Sequence, residues 1–318
     1  MSIRLYACGG TGLNIGKDFY KLETIPGFAD IKTCFIDTSL SNIRSKDGKV
    51  IDESDVFLFE GLDGSGKLRA SNFTTISQMT KQILQRFKPE DMNIVVSSGS
   101  GGSGGVISIT LVKELLERNE TVIVVMVGSE ESKITIDNTI KSIQSLDGIS
   151  RKAHKPVIVS YTHNSALASR QQNDTIMKQT ITALSILCSK QNAELDTADV
   201  ANFVDFEKVT SVKEGVTFLY VTNSEEDAIK IEHPISLASL FSEEGKTTSR
   251  LTPEYSCVGY TQENVLKGND LHFITSQYDI KNVFAKLQHR LEEFNENSSA
   301  RVMTSPLGGN VDNDGFVI

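Results

Sequence analysis

The sequence predicts an α/β protein: a parallel sheet covered by helices, then a long central helix, then a smaller α+β unit with a polar tail. Three observations carry that prediction. Short runs of Val and Ile recur without polar alternation, as in strands buried on both faces. Amphipathic stretches fall between those runs, which is the pattern of strands joined by crossover helices. Glycine clusters sit where two of the strands end, and open α/β sheets bind their ligands at strand ends.

The strand candidates of the first half are 3–8, 32–36, 56–59, 93–97, 122–127 and 156–160, with helices between them such as 74–87 and 106–119. Residues 173–192 predict one long helix. Met177, Ile181, Leu184 and Cys188 step along one face, while Ile176, Ala183 and Leu187 supply apolar groups on another side. A helix apolar on two sides is buried between layers and joins them. Strands at 216–222, 257–260 and 271–275 then build the smaller unit. A last helix at 280–294 carries an apolar stripe of Ile280, Val283, Phe284, Leu287, Leu291 and Phe294, with Lys286, His289 and Arg290 outside it. Beyond Asn295 the chain is polar and without periodicity, which predicts a mobile tail.

Composition narrows the function classes. The 318 residues are 39% apolar and 23% charged, with a formal net charge of −9. That balance argues against non-specific binding to nucleic acid or to an acidic membrane. Cys8, Cys34, Cys188 and Cys257 lie far apart with no CxxC pair, so reduced thiols and no metal site are expected. No run approaches the ~20 apolar residues that span a bilayer. A soluble, cytoplasmic protein is expected.

Three glycine clusters carry the chemistry: Gly9-Gly10-Thr11-Gly12, the segment from Gly61 through Asp63, Gly64, Ser65 and Gly66 to Lys67, and the run from Ser97 to Gly105. Glycines let the main chain approach an anion, and N–H groups at a helix start then bind phosphate. The third cluster follows a strand and precedes a helix, which favours a phosphate site over a Gly/Ser linker. The second nearly matches the Walker A pattern, leaving a P-loop kinase or ATPase as the rival reading. Its eighth position is Leu68, however, so the Mg²⁺-binding hydroxyl is missing. The first could open a dinucleotide fold with Asp37 as the ribose acid, yet Ile15 stands where that fingerprint needs glycine, with Gly16 one place later.

Taken together, the motifs resemble the tubulin/FtsZ family. Ser100-Gly101-Gly102-Ser103-Gly104-Gly105 is similar to its glycine signature, with Ser103 for the usual Thr and Val106 for a frequent final Gly. Asp196-Thr-Ala-Asp199 matches the family's acidic pair after the central helix. More narrowly, the chain resembles bacteriophage tubulins of the PhuZ type in Cys34-Phe-Ile-Asp37-Thr38, in Leu195 to Phe203 and in the ending Val311 to Ile318. The likeness spans nearly the whole length, and is only generic over 281–301.

The resemblance implies a tubulin/FtsZ-like fold: a Rossmann-like parallel-sheet GTPase domain over 1–172, the central helix over 173–195, an α+β activation-type domain over 196–278, a C-terminal helix over 279–297 and an extended acidic tail over 298–318. It implies a GTPase that binds GTP and GDP with Mg²⁺ and polymerises head to tail. In large phages such proteins position the replicating genome in the host cytoplasm, so phage particles or a phage DNA compartment are the implied cargo.

The family pattern also assigns roles. Gly9, Gly10, Thr11 and Gly12 contact phosphates from one side and Ser100 to Gly105 from the other. Asp37, Thr38 and the loop Asp63, Gly64, Ser65, Gly66 and Lys67 approach the β/γ end. Glu130 and Glu131 are candidates for the ribose, and Asn164, Asn173 and Asp174 for the guanine edge, with a helix N-cap as the alternative for the last two. Asp196 and Asp199 orient the attacking water in the neighbour's site, with a capping box around Asp199 as the alternative. A non-hydrolysing polymer or a nucleotide-sensing adaptor would share every glycine loop. For the tail, Asp312, Asp314, Phe316, Val317 and Ile318 form a docking peptide, and Lys286 and Arg290 are the expected acceptor.

Overall fold

The computed structural model describes residues 1–44, 51–248 and 250–299. The first half alternates strand and helix: β1 (Ser2–Cys8), α1 (Gly9–Gly16), β2 (Asp30–Asp37), α2 (Leu40–Ile43), β3 (Val56–Leu58), α3 (Arg69–Arg86), β4 (Met92–Ser98), α4 (Ser103–Glu117), β5 (Val122–Ser129), α5 (Lys133–Ala153) and β6 (Val157–Asn164). There follow α6 (Arg170–Leu187), α7 (Thr197–Val204), β7 (Val216–Thr222), α8 (Glu225–Ala228), β8 (Ser236–Phe241), β9 (Tyr255–Tyr260), α9 (Glu263–Leu266), β10 (Leu271–Ser276) and α10 (Ile280–Ser299).

Among the described residues the strands form one ten-stranded sheet in the order β3-β2-β1-β4-β5-β6-β7-β10-β8-β9. From β3 to β7 all neighbours are parallel; β10 runs antiparallel to both β7 and β8. The two halves of the chain therefore share main-chain hydrogen bonds where Val157 pairs with Val216.

Side chains alternate between two cores across this sheet, which explains the unbroken apolar runs. In β5, Ile123, Val125 and Val127 face one core, and Val122, Val124 and Met126 face the other. The first core receives α6 and α7 through Met177, Ile181, Leu184, Val200 and Phe203. The second receives α3, α4, α5 and α10 through Ile76, Leu115, Ile143 and Leu287. The stripe on α10 thus packs against the first half of the chain.

Several boundaries differ from the sequence expectations, each for a local reason. The stretch after β1 is not a loop but α1 itself, and α4 starts at Ser103 inside its own glycines. Glycine's poor helix propensity hides α1 from the sequence altogether and places the start of α4 three residues downstream, at 106. The central helix begins at Arg170, where Ser169 and Gln172 form a capping box, and ends at Leu187. Asn192 stops it there by donating from Nδ2 to the carbonyls of Ile186 (2.8 Å) and Leu187 (3.2 Å). Of its expected two-sided apolar set, Ile176 is exposed, whereas Met177, Ile181, Leu184 and Cys188 are fully buried. Strand β8 was not expected.

The docking of α10 is testable. Leu287→Ala should destabilise the protein by about 2–5 kcal/mol, and Lys286→Ala on the exposed face by no more than about 0.5 kcal/mol. Equal urea midpoints for the two variants would contradict the packing described.

Candidate functional site

The sheet order reverses around β1, whose neighbours are β2 on one side and β4 on the other. Such a reversal opens a crevice at the carboxyl ends of the strands. Here α1 leaves the end of β1, and the loop after β4 leads into α4. Both helix N-termini therefore point N–H groups and partial positive charge into one place. They come together because neither carries a side chain at the contact: a Cβ on Gly9 would lie 2.7 Å from Cα of Gly104, and one on Gly104 would lie 3.0 Å from the carbonyl oxygen of Cys8. Gly9 also has φ +68°, which favours glycine.

The resulting cleft has a volume of about 530 Å³. Of the expected residues it is lined by Gly9, Gly10, Thr11, Asp37, Thr38, Gly64, Ser65, Lys67, Ser100, Gly101, Gly102, Ser103, Gly104, Glu131, Asn164 and Asp174. Gly12, Asp63, Gly66, Gly105, Glu130 and Asn173 do not line it. Gly12 instead lets α1 sit on the sheet, since a Cβ there would meet the carbonyl oxygen of Val96 at 2.5 Å. Gly105 backs onto the carbonyl oxygen of Ser98. Glu130 faces His163, 3.6 Å away. Asp63 accepts from Ser39 Oγ at 2.7 Å and so holds the loop rather than the cleft.

At one end of the cleft the polar groups are tightly tied. Thr38 Oγ1 donates to Ser103 Oγ (2.8 Å), joining the end of β2 to the start of α4. The Asp37 carboxylate accepts from the Thr38 N–H (2.6 Å), the Ser39 N–H (3.2 Å) and Asn42 Nδ2 (2.8 Å). Burial pushes its pKa up, against the downward pull of those bonds. At the other end, Arg170 grips Glu131 through two bonds of 2.9 and 2.6 Å and holds that carboxyl below its usual range. Asn173 Nδ2 donates to Asn164 Oδ1 at 2.7 Å, so Asn173 orients a lining residue from behind. Because Ser169 caps α6, neither Asn173 nor Asp174 is an N-cap.

Sequence reasoning missed Asn14, Asn42, Ser129, Thr135 and Arg170 in the lining. It also missed Asn138 on α5, a buried amide whose Nδ2 donates to the carbonyls of Lys67 (2.9 Å) and Ser100 (3.1 Å). That one side chain ties the second glycine loop to the third. Single polar residues within a helix, or at a strand end as Ser129 is, carry no motif, so no signal pointed to them.

The acidic pair lies elsewhere. Asp196 and Asp199 line a second cavity of about 510 Å³, together with Met1, Lys190 and Glu194. Met1 precedes β1 and Cys8 ends it in the first cleft, so the two cavities lie at opposite poles of the sheet, about 20 Å apart by strand rise. The N-cap of α7 is Asp196, not Asp199. Its carboxylate accepts from the N–H groups of Asp199 (3.0 Å) and Ala198 (2.7 Å), which hold its pKa down, and Asp199 accepts from the Asp196 N–H at 3.0 Å. Backbone pairing of Ala193 with Tyr260 fastens the loop to the edge of β9.

On α10, Lys286 and Arg290 are exposed, and Arg290 is paired with Glu293 at 2.5 Å. Asp312, Asp314, Phe316, Val317 and Ile318 lie outside the described residues. Among the described residues no group of three or more His, Cys, Asp or Glu could hold a metal ion, and no helix is long and apolar enough to cross a membrane.

Comparison with known proteins gives a consistent result. A family model for the C-terminal domain of phage tubulin-like proteins matches residues 195–280. A phage tubulin-like protein of Pseudomonas phage phiKZ is 30% identical over 301 residues, covering 92% of this chain and 90% of the relative. A solved protofilament of TubZ from bacteriophage PhiKZ superposes with a TM-score of 0.88 at 28% identity, covering 99% of both chains. The structure of the phage tubulin PhuZ with GDP gives a TM-score of 0.88 at 24% identity, over 100% of this chain and 99% of the other.

The role given to Asn138 can be checked directly. Asn138→Ala leaves the buried carbonyl of Ser100 without its donor and removes the half-buried bond to Lys67, and should cost about 1–3 kcal/mol in unfolding experiments. It should also weaken ligand binding in the cleft, because both glycine loops lose their tie. Unchanged thermal stability and affinity would contradict the assignment.

Proposed function

The chain belongs to the phage tubulin-like proteins and has their tubulin-like fold, and from that premise we propose that it is a GTPase that polymerises head to tail, each active site being completed by the next subunit. One observation carries this reading: the phosphate-type cleft and the acidic pair lie at opposite poles of one sheet. Neither acid of the pair reaches its own subunit's cleft from that distance, whereas stacking brings one pole onto the other. The similar chain solved as a protofilament and the one solved with GDP supply the assembly and the guanine nucleotide.

In this mechanism the N–H groups at the starts of α1 and α4 hold the phosphates, from Gly9 to Thr11 on one side and from Ser100 to Gly104 on the other. Lys67 and Ser65 close over the terminal phosphate. Asn164, steadied by Asn173, and Asp174 read the guanine edge, where a carboxylate accepts from two adjacent N–H groups. Burial raises the pKa of Asp174, so guanine N–H donors gain a less solvated acceptor. The neighbour's Asp199, held by its box with Asp196, orients a water toward the γ-phosphorus and takes up its proton.

Mg²⁺ suits the donor set. It binds through one or two carboxylates plus substrate phosphates, and Asp37 with the hydroxyls of Thr38 and Ser103 offers that at the phosphate end. When bound it would neutralise phosphate charge.

The Walker-type alternative loses ground on two counts. Strand β3 is a three-residue edge strand, and Leu68 is the half-exposed residue preceding α3. The division into a nucleotide unit over 1–172 and an activating unit over 196–278 is part of this proposal. A phage origin, action in the host cytoplasm and positioning of phage DNA complete the proposal. Tail docking onto a neighbouring subunit belongs to it as well, with Lys286 and Arg290 as its acceptor.

Three outcomes are expected. In sedimentation, GTP should drive assembly and ATP should not; pelleting with ATP alone would revive the P-loop reading. Asp199→Asn keeps the capping acceptor but removes the charge, and should cut phosphate release at least ~10²-fold while filaments persist; wild-type turnover by those filaments would sink the shared site. Deleting 310–318 should raise the critical concentration with monomer GTP affinity unchanged, and assembly at the wild-type threshold would show the tail to be dispensable.

A further inference from the structure

The cleft is short of positive charge for a triphosphate. Its lining holds the carboxylates Asp37, Glu131 and Asp174 against the cations Lys67 and Arg170, and Arg170 is committed to Glu131. Helix N-termini contribute only partial charges. The opposite pole, which the shared-site reading stacks on this cleft, brings three more acids in Glu194, Asp196 and Asp199. It also brings Lys190, in the same cavity.

Lys190 is exposed, and no ion pair of its ammonium within 4 Å is found among the described residues. Asp91 outside the cavity feels it: the Ser2 N–H chiefly holds that carboxyl below its usual range, and Lys190 adds a smaller pull in the same direction. Its main chain is fixed from both sides. Ser189 Oγ accepts from the Gln191 N–H (3.2 Å), Asn192 caps α6, and Ala193 is bonded to Tyr260. The side chain is therefore a flexible cation on a rigid mount beside the acids.

We propose that Lys190 is a catalytic cation supplied in trans. Resting on the shared-site reading, it contacts the γ-phosphate in the neighbour's cleft and offsets the charge that builds there. As the water oxygen bonds to the γ-phosphorus, the bond to the β–γ bridging oxygen breaks and its electron pair leaves with GDP. The water's proton goes to Asp199, and Lys190 stabilises the phosphate oxygens. Asp199 and Lys190 divide the work: one orients and deprotonates the nucleophile, the other faces the product charge.

The test measures phosphate release per pelleted subunit for Lys190→Met, Lys190→Arg and Asp199→Asn. Lys190→Met should be at least about tenfold slower than wild type, and Lys190→Arg should recover most of the loss. Mixing separates a role in trans from a merely structural one. Thr11→Glu puts a carboxylate in the cleft but leaves the acidic pole intact, so adding it to Lys190→Met should restore turnover that neither variant shows alone. Lys190→Met with Asp199→Asn should restore none, because both lack the same pole. If Lys190→Met fails to pellet by itself, the mixture with Thr11→Glu still decides. Wild-type turnover in Lys190→Met polymer, or no gain in that mixture, overturns the proposal. Wild-type turnover in Asp199→Asn polymer overturns the shared-site reading itself, whatever Lys190 does.

Discussion

The contact between Gly9 and Gly104 is the constraint on which the rest of the molecule depends. A Cβ on Gly9 would collide with the main chain of Gly104 at 2.7 Å, and one on Gly104 would crowd Cα of Gly9 at 3.1 Å, so two helices start side by side over neighbouring strands because both positions are bare. Their N-termini then converge on one cleft, and the polar ties around it assemble accordingly. Thr38 meets Ser103 from the β2 side, and Asn138 draws in the loops at Lys67 and Ser100 from the α5 side. The cleft is thus held from the β2 side and from the α5 side by the buried, hydrogen-bonded side chains of Thr38 and Asn138. That is the condition for fixed donors to favour a developing charge.

A parallel sheet also has unlike ends, and the chain keeps its chemistry divided between them. Helix α6 runs from Arg170, beside the cleft, to Leu187, beside the acid loop. Its buried face of Met177, Ile181 and Leu184 makes it a stiff spacer. Asn192 ends it, and the bridge from Ala193 to Tyr260 anchors the acid loop to the second half of the chain. The proposed filament chemistry uses this spacing: a subunit alone holds two incomplete sites, and a junction between subunits holds one complete site.

Much of this was legible in the sequence. The Val and Ile runs predicted strands buried on both faces, and nine of the ten strands observed lie at expected positions. The missing one, β8, reads Ser-Leu-Ala-Ser-Leu-Phe and is buried at every position. Its small polar residues gave neither an apolar run nor an alternation. They are satisfied by Thr275 and His272 on the next strand, which no local pattern reveals. The glycine clusters marked the cleft but not the helix starts, because propensity counts against glycine where tertiary contact demands it. Capping was misplaced as well: Asn173 and Asp174 stood as N-cap candidates, whereas the cap is Ser169, one turn earlier, through its reciprocal bonds with Gln172. Asn138 and Arg170 were out of reach, since each acts on partners far away in the chain.

The most direct test of the shared site is GTP turnover per subunit measured against total protein concentration. With a shared site, turnover should be almost nil while the protein is monomeric and should rise steeply once subunits stack and each cleft gains its neighbour's acids. Specific activity that stays constant down to concentrations where only monomer exists would contradict it.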